Sequence, residues 1–366
     1  MMRKVTARGR LKLLPHAEFV FVTCQAKAEH ALKDEMSQLW PEFRFSYSQP
    51  GFLTYKLPAW LNLAEDFALN TVLGREYGLS LGAVEGESRQ AKMDVLEERL
   101  AGETFNHLAV FPRLRFLPGS KDDEAAIKAE ALAVEAELKG RLSAKNILQN
   151  PSNEPLGRWG DRVLDVVLLD EQHWWAGYHR HGPDHLPWPG GLCPFTLPPH
   201  AVSRAYLKAA EALTWANFPL HEGQWCAELG SSPGGASQAL LERGLNVMGI
   251  DPAEMADAVL QHPQFVHIRK RSHEVRRREF RKVRWLLADM NVAPTYTLDA
   301  IEAIVQHPEN RIRGLLLTLK LLDWKFLTDL PQYLSRVRRW GFPHLHTRQL
   351  SHHRQEFALC AIRPHE

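Results

Sequence analysis

The sequence predicts an α/β protein whose carboxyl-terminal half forms a parallel sheet flanked by helices. Two observations carry this prediction. The apolar segment 225–229 leads into a glycine-rich turn at residues 230–235 and then into a helical pattern at 236–243. A second apolar segment, 245–250, ends in Asp251. Alternation of apolar strand patterns with helical patterns is typical of a doubly wound, Rossmann-like sheet.

The glycine-rich turn is typical of a cofactor-binding loop. Glycine lets the backbone approach a ligand closely, and the free N–H groups of the following helix favour an anionic group. Asp251 follows the turn by roughly 20 residues, a spacing at which a carboxylate can bind ribose hydroxyls. The pattern therefore predicts an adenosyl ligand, and it leaves both a nicotinamide cofactor and S-adenosylmethionine open.

Four further residues distinguish between these ligands. Lys208 ends the segment 203–208, Asp289 follows the apolar residues 286–288, and Lys320 ends the apolar strand pattern 315–319. Glu356 begins the last apolar strand pattern of the chain. Their order and surrounding motifs resemble the Lys-Asp-Lys-Glu tetrad of the FtsJ-like RNA ribose 2′-O-methyltransferases. The resemblance covers residues 185–366.

This resemblance implies methyl transfer from S-adenosylmethionine to a ribose 2′-oxygen of RNA, and the target would be a cytidine of 23S ribosomal RNA. It makes all four tetrad residues catalytic, with Lys320 as the base. An ordinary lysine has a pKa of about 10.4, so the pKa of Lys320 must be lowered by burial or by a cation such as Lys208. Asp289 and Glu356 act in the opposite direction. The sequence leaves the sign of the net shift open.

The family motifs also predict the cofactor site. The residues concerned are Ser203, Glu228, Gly230, Ser231, Pro233, Gly234, Gly235, Asp251 and Asp289. The chain departs from the family at three places. Glu228 stands where many members have Asp, Ala236 stands where Trp is frequent, and the basic run 269–271 stands where an acidic residue often binds adenine. Main-chain groups after residues 264–268 can take over adenine recognition.

The distribution of charge predicts an RNA-binding surface. The net charge is only +2, but residues 269–284 contain nine Lys or Arg and two Glu. Such a block can neutralise phosphates, with little dependence on sequence. The predicted RNA contacts are Arg276, Arg277, Arg278, Arg281 and Lys282. A solvated helix face is the alternative for an isolated run of this kind.

Two small α/β patterns precede the methyltransferase pattern. The first has strand patterns at 18–23, 43–47 and 52–57 and a helix at 28–39; the second begins near Gly82, with helices at 87–100 and 122–142 and strands at 105–110 and 162–169. The last strand is nearly continuous Val and Leu, which predicts burial on both faces. With the resemblance, we expect a small ferredoxin-like domain (1–80), a THUMP-like RNA-binding domain (81–180), a linker (181–200) and the methyltransferase domain (201–366).

Several histidines lie near the linker and the last strands. They are His179, His181, His185, His344, His346, His352 and His353. The turn signal at 182–183 argues against a helix that would align the first three, and no cysteine or carboxylate pair accompanies them. We therefore predict loop residues, some of them facing RNA, and no metal.

Cysteine usage and hydropathy predict a cytoplasmic protein. Cys24, Cys193, Cys226 and Cys360 are widely spaced, so buried, reduced thiols are expected. No run of about 18 apolar residues is present, and the first residues lack an apolar signal region.

Two other functions are compatible with parts of the sequence. A non-catalytic RNA-binding protein could retain the S-adenosylmethionine pocket, which the altered adenine side favours and the intact tetrad opposes. A nicotinamide-dependent dehydrogenase is the more remote alternative. Residues 231–233 interrupt the G-x-G-x-x-G spacing that such an enzyme uses.

Overall fold

The computed structural model describes residues 17–115, 117–118, 124–149 and 157–364. Within them, the chain forms two seven-stranded sheets, one in each half. The first 16 residues of the predicted amino-terminal domain and the predicted helix start at residue 122 lie outside the described residues. In the described part of the chain, no helix has the length and apolarity needed to cross a membrane.

The amino-terminal half forms one mixed sheet. Its elements are β1 (Phe19–Thr23), α1 (Glu29–Leu39), β2 (Arg44–Gln49), β3 (Phe52–Lys56), β4 (Tyr77–Glu85), α2 (Arg89–Arg99), β5 (His107–Pro112), α3 (Glu124–Ala144), β6 (Arg162–Leu168) and β7 (His173–Arg180). The strand order is β2-β3-β1-β4-β7-β6-β5, and only the β5–β6 pair is parallel among these pairings. Strand β6 is buried over six of its seven residues, which confirms the burial predicted from its Val and Leu content.

Two strands that the sequence analysis missed, β4 and β7, join the two predicted small units into this sheet. The predicted start of the second unit, Gly82, lies inside β4. Gly82 has a φ of +95° at a shift in the β4–β7 register, so a residue that indicates a turn here belongs to a bulge. Gly177 in β7 is required by packing, because a Cβ there would lie 2.3 Å from the Phe21 ring.

The carboxyl-terminal half is the predicted Rossmann-like sheet. Its elements are α4 (Ala205–Ala216), β8 (Trp225–Leu229), α5 (Gly235–Leu241), β9 (Asn246–Ile250), α6 (Asp257–Leu260), β10 (Phe265–Ile268), β11 (Val283–Ala288), α7 (Pro294–Val305), β12 (Gly314–Lys320), α8 (Leu330–Arg339), β13 (His344–Arg348) and β14 (Glu356–Ile362). The order is β10-β9-β8-β11-β12-β14-β13, with β14 antiparallel to both neighbours. The order reverses between β8 and β11, and ligands bind at the carboxyl ends of strands at such a point.

The two halves meet at the loop between β13 and β14, residues 349–355, which we call the 349–355 loop. The N–H of Gln349 donates to the Val72 carbonyl at 2.7 Å, and Arg75 donates to the Leu350 carbonyl at 3.1 Å. Arg348, just before the loop, donates to the Gly74 carbonyl at 2.7 Å. The segment 72–75, which precedes β4 in the amino-terminal half, therefore contacts and restrains the loop that leads into Glu356.

Candidate active site

The structure brings the four tetrad residues together at the carboxyl edge of the second sheet. Lys208 projects from α4, and Asp289 follows β11 directly. Lys320 is the last residue of β12, and Glu356, the first of β14, is its partner in the antiparallel register. The ends of the neighbouring strands β11, β12 and β14 thus deliver three of the four side chains, and a helix delivers the fourth.

The two ammonium groups alternate with the two carboxylates. Lys208 Nζ lies 2.6 Å from Glu356 Oε1 and 3.4 Å from Asp289 Oδ2. Lys320 Nζ lies 2.6 Å from Asp289 Oδ1 and also contacts Glu356 Oε2. The Glu356 side chain is 6% exposed, whereas that of Lys208 is 22% exposed. The site is therefore neutral in sum, nearly closed at Glu356 and open to a ligand at Lys208.

The charges of the tetrad shift the pKa values of two of its members. Burial lowers the pKa of Lys320, but Asp289 and Glu356 more than offset this, so the net pKa is raised. For Glu356, burial raises the pKa, but His353, Lys208 and Lys320 reverse the effect and bring it to about 2. Lys320 is therefore an ammonium in the structure as it stands, which answers the question of sign that the sequence left open.

A fifth group, His353, adjoins the tetrad. It was predicted to be a loop residue of the kind that faces RNA, and it does lie in the 349–355 loop, but its side chain is fully buried. Its Nδ1 accepts a hydrogen bond from the Leu350 N–H at 3.2 Å. Burial, opposed by the charge of Glu356, lowers its pKa to about 4. His353 faces inward because the amino-terminal half covers the loop, a contact that the local sequence does not reveal.

A cavity of about 710 Å³ lies next to the tetrad at the carboxyl ends of β8, β9 and β11. Gly230, Asp251 and Asp289, three of the predicted cofactor residues, line it. Gly230 has a φ of +82°, and a Cβ there would lie 2.6 Å from the Asp289 carbonyl oxygen. Glycine at this position is thus required by backbone conformation and by close packing.

Asp251 is held in a defined orientation at the end of β9. Its Oδ2 accepts a hydrogen bond from the Ser232 N–H at 3.2 Å, and its Oδ1 accepts one from the Ala253 N–H at 2.8 Å. A carboxylate has about four acceptor sites, so each oxygen can accept another hydrogen bond. The group is therefore suited to bind vicinal hydroxyls.

Residues 201–329 match the model of the FtsJ-like methyltransferase family. This part of the chain is an FtsJ-like methyltransferase domain. The tetrad residues Lys208, Asp289 and Lys320 lie within the match, and Glu356 lies beyond it.

Curated relatives of this chain are named ribosomal RNA large subunit methyltransferase M. The protein from Halorhodospira halophila is 32% identical over 206 residues, which are 55% of this chain and 58% of the relative. Those from Aromatoleum aromaticum and Xylella fastidiosa strain M12 are 32% and 30% identical, over 55% and 61% of this chain and 56% and 61% of the relatives. The matches thus span less than two thirds of the relatives' length.

The other predicted cofactor residues belong to the glycine loop of the FtsJ-like domain or pack against it. Glu228 is buried in β8, where its Oε2 accepts a hydrogen bond from Ser237 Oγ at 2.5 Å, and burial raises its pKa to about 8. Gly235 packs against Ser203, so closely that a Cβ would lie 2.2 Å from Ser203 Oγ. Ser231 is buried, Gly234 has a φ of +114° and Pro233 follows a cis peptide bond. None of these six lines the cavity, and their part in binding stays a prediction.

The predicted RNA contacts of the FtsJ-like domain fall into different environments. Arg276, Arg278 and Lys282 are exposed. Arg281 is also exposed but pairs with Glu309, with Nε 2.9 Å from Oε2. Arg277 is half-buried, donates to the Ser272 carbonyl at 3.0 Å and lines the 710 Å³ cavity. Arg277 therefore lies where a cofactor contact is equally accessible.

The linker histidines form an internal cluster, so the prediction of a loop residue was wrong for His179, whereas His185 lies in a loop as predicted but does not face outward. His179 lies in β7, and both side chains are buried, with stacked rings whose centroids are 3.9 Å apart. His179 Nδ1 lies 2.7 Å from Asp165 Oδ2, and His185 Nδ1 lies 2.8 Å from Glu76 Oε1. We call these four residues the histidine cluster. The predicted linker is packed rather than free, because Leu186 is only 1% exposed.

Proposed function

We propose that the protein transfers a methyl group from S-adenosylmethionine to a ribose 2′-oxygen of RNA. The observation that carries the proposal is the alternating tetrad within and beside an FtsJ-like methyltransferase domain. The names of the curated relatives support ribosomal RNA of the large subunit as the substrate. We further propose a cytidine of 23S ribosomal RNA as the target nucleotide, in the cytoplasm.

The residues around the 710 Å³ cavity fit S-adenosylmethionine. The volume of this cavity is in the range of small-ligand sites. The cavity also lies at the carboxyl ends of the strands, where an adenosyl group is expected. Asp251 is assigned to the ribose hydroxyls. The run 269–271 is basic where the family often has an adenine-binding acid, so we assign adenine recognition to main-chain groups of residues 270–273, which line the cavity. When bound, the cofactor supplies an activated methyl group.

In the proposed reaction, Lys320 removes the proton from the ribose hydroxyl. Because its pKa is raised, the Lys320 ammonium must first release its proton to solvent, and the neutral amine then accepts the proton of the ribose hydroxyl. Asp289 and Glu356 hold the Lys320 amine in place. Lys208, the more exposed amine, is positioned to orient the hydroxyl. Alignment of this kind accounts for a large part of a methyl-transfer rate.

The binding part of the proposal is tested with S-adenosylhomocysteine. Asp251→Ala should weaken its affinity by about 10- to 150-fold, because hydrogen bonds to a charged group are worth about 1.5–3 kcal/mol. Isothermal calorimetry on folded protein measures this, with the exposed Asp257→Ala as the control. A thermal shift with NAD in place of S-adenosylhomocysteine would indicate the dehydrogenase alternative. Wild-type affinity of the Asp251 variant would remove the ribose assignment.

The chemical part is tested by mapping 2′-O-methyl groups in 23S ribosomal RNA from a deletion strain and after treatment with the purified protein. Loss of one methylated cytidine, restored by the protein and S-adenosylmethionine, is the expected result. Binding of RNA and S-adenosylhomocysteine without any transfer would instead show the non-catalytic protein. The THUMP-like assignment of residues 81–180 stays a prediction, and RNA binding by a purified amino-terminal half would support it.

A further inference from the structure

A second cavity, of about 410 Å³, opens between the two halves of the molecule. Its walls come from the end of β5, the first turns of α3, the segment 192–197, the start of α4 and the 349–355 loop. Neither sheet builds it alone. Its volume is in the range of small-ligand sites, and no step of the proposed reaction uses it.

One wall of this cavity is cationic. Arg113, Arg115, Lys128 and Arg204 line it, and no Asp or Glu is found among its described lining residues. Arg113 Nε and Arg115 Nη2 each donate to the Leu169 carbonyl at 2.9 Å. A carbonyl fixes the direction of these guanidinium groups without cancelling their charge. Planar, charged donors held in this way suit a phosphate.

The remaining lining of the cavity is largely apolar and includes an aromatic ring. Phe195 lines it and is half-buried, with its ring edge-on to Trp188 at a centroid distance of 5.7 Å. Leu197 lines it as well and is 41% exposed, so part of this apolar surface is open to a ligand. A base can stack on such a ring while its phosphate reaches the cationic wall.

The cavity lies within reach of the tetrad. Arg204 precedes Lys208 by four residues at the start of α4, about 6 Å along a helix axis. On the other side, the lining residue His352 precedes Glu356 by four residues. Adjacent nucleotides of a single strand can bridge such a separation.

We propose that this cavity binds a nucleotide of the substrate RNA next to the target nucleotide, with its base against Phe195 and its phosphate at Arg113 and Arg115. The inference rests on the proposed function and adds a second recognised nucleotide to it. The enzyme would then read a single-stranded segment of at least two nucleotides rather than one ribose.

The experiment measures binding of a fluorescein-labelled, single-stranded pentacytidylate by anisotropy, with the full-length protein and saturating S-adenosylhomocysteine. Phe195→Ala should weaken binding by about 5- to 150-fold, the range of one base–aromatic stack. Arg115→Gln should lower the slope of log affinity against log salt by about 0.7, the value of one phosphate contact on a single strand.

Matched controls lie on β2, at the opposite edge of the amino-terminal sheet. Phe45→Ala removes an exposed aromatic ring, and Arg44→Gln removes an exposed cation. Both should bind RNA like the wild type. Leu197→Glu, at an exposed position, places a negative charge in the cavity without removing a core side chain, and it should weaken RNA binding even if Phe195→Ala fails to fold.

Wild-type affinity and salt slope in the folded cavity variants would overturn the proposed nucleotide site and leave the methyl-transfer proposal intact. Competition by cytidine 5′-monophosphate at the same concentration as the pentanucleotide would also overturn it, because the cavity would then be a site for a free nucleotide. Variant-sensitive RNA binding without methyl transfer would support the cavity and remove the proposed reaction. The two proposals thus fail separately.

Discussion

The tetrad and the histidine cluster are both buried groups of acids and bases, yet their pKa values are shifted in opposite ways. In the tetrad, attraction between charges exceeds the effect of burial, so the pKa of Lys320 is raised and that of Glu356 is lowered. In the histidine cluster, burial prevails, raising the pKa of Asp165 and lowering that of His185. The tetrad keeps its charges and partial access to solvent. The cluster favours neutral groups and is closed, as expected for a structural network.

The largest expected effect is the loss of methyl transfer when a tetrad residue is replaced. Lys320→Met keeps the apolar stem and removes the amine, so single-turnover methyl transfer to RNA should fall by about 10²- to 10⁴-fold, the usual contribution of general base catalysis. Cofactor and RNA binding should persist. Lys56→Met on β3, far from the site in the other sheet, is the control. Near-normal transfer by the Lys320 variant would exclude it as the base.

The histidine cluster should respond in stability rather than in chemistry. His179→Leu leaves the buried Asp165 carboxyl without its partner, at a cost of about 1–3 kcal/mol in the free energy of unfolding. Adding Asp165→Leu should recover part of this loss, since removing both partners costs less than removing one. Urea unfolding measures both variants. A normal stability but a slow transfer rate in His179→Leu would move the cluster from structure to catalysis.

The lowered pKa of His353 makes the stability of the fold depend on pH. Its pKa is about 4 in the folded state and about 6.5 in the unfolded chain, so between these values only the unfolded state binds the proton. Lowering the pH through this window therefore destabilises the fold, by about 2 kcal/mol at pH 5, and above pH 6.5 the effect vanishes. His353→Gln should flatten the stability difference between pH 7 and pH 5, unlike the exposed His344→Gln. An equal pH dependence in both variants would contradict the assigned pKa.

The smallest expected effect concerns the basic block. Changing three of its exposed members to Glu (Arg276, Arg278 and Lys282) should weaken RNA binding and reduce its salt dependence, by about 0.7 in slope for each phosphate that the protein no longer neutralises. Arg277 is left unchanged because it lines the cofactor cavity. Affinity for S-adenosylhomocysteine is the control measurement. If the slope stays constant, the block is a solvated face.

The sequence could predict the tetrad, but it could not predict the histidine cluster. The tetrad residues stand at strand ends and in a helix, with motifs in a recognisable order, so their convergence was predictable. The histidine cluster joins β6, β7, the start of β4 and the segment after β7, and the two missed strands contain glycines that resemble turn residues. His353 shows the same limit, since its burial comes from contacts with the other half of the chain. Local patterns predict elements well, but burial by distant segments requires the tertiary structure.

The anchoring of the 349–355 loop to Val72 and Arg75 has a consequence for how the enzyme can be divided. Glu356 is fixed in the tetrad by its strand on one side and by this loop on the other. A fragment restricted to residues 201–366 would retain every tetrad side chain and the hydrogen bonds of Glu211 to Ser351 and His352, but it would lose the bonds of Val72 and Arg75 to the loop. The amino-terminal half thus restrains the loop that carries Glu356 into the tetrad, and we expect methyl transfer to require both halves even where each half folds alone.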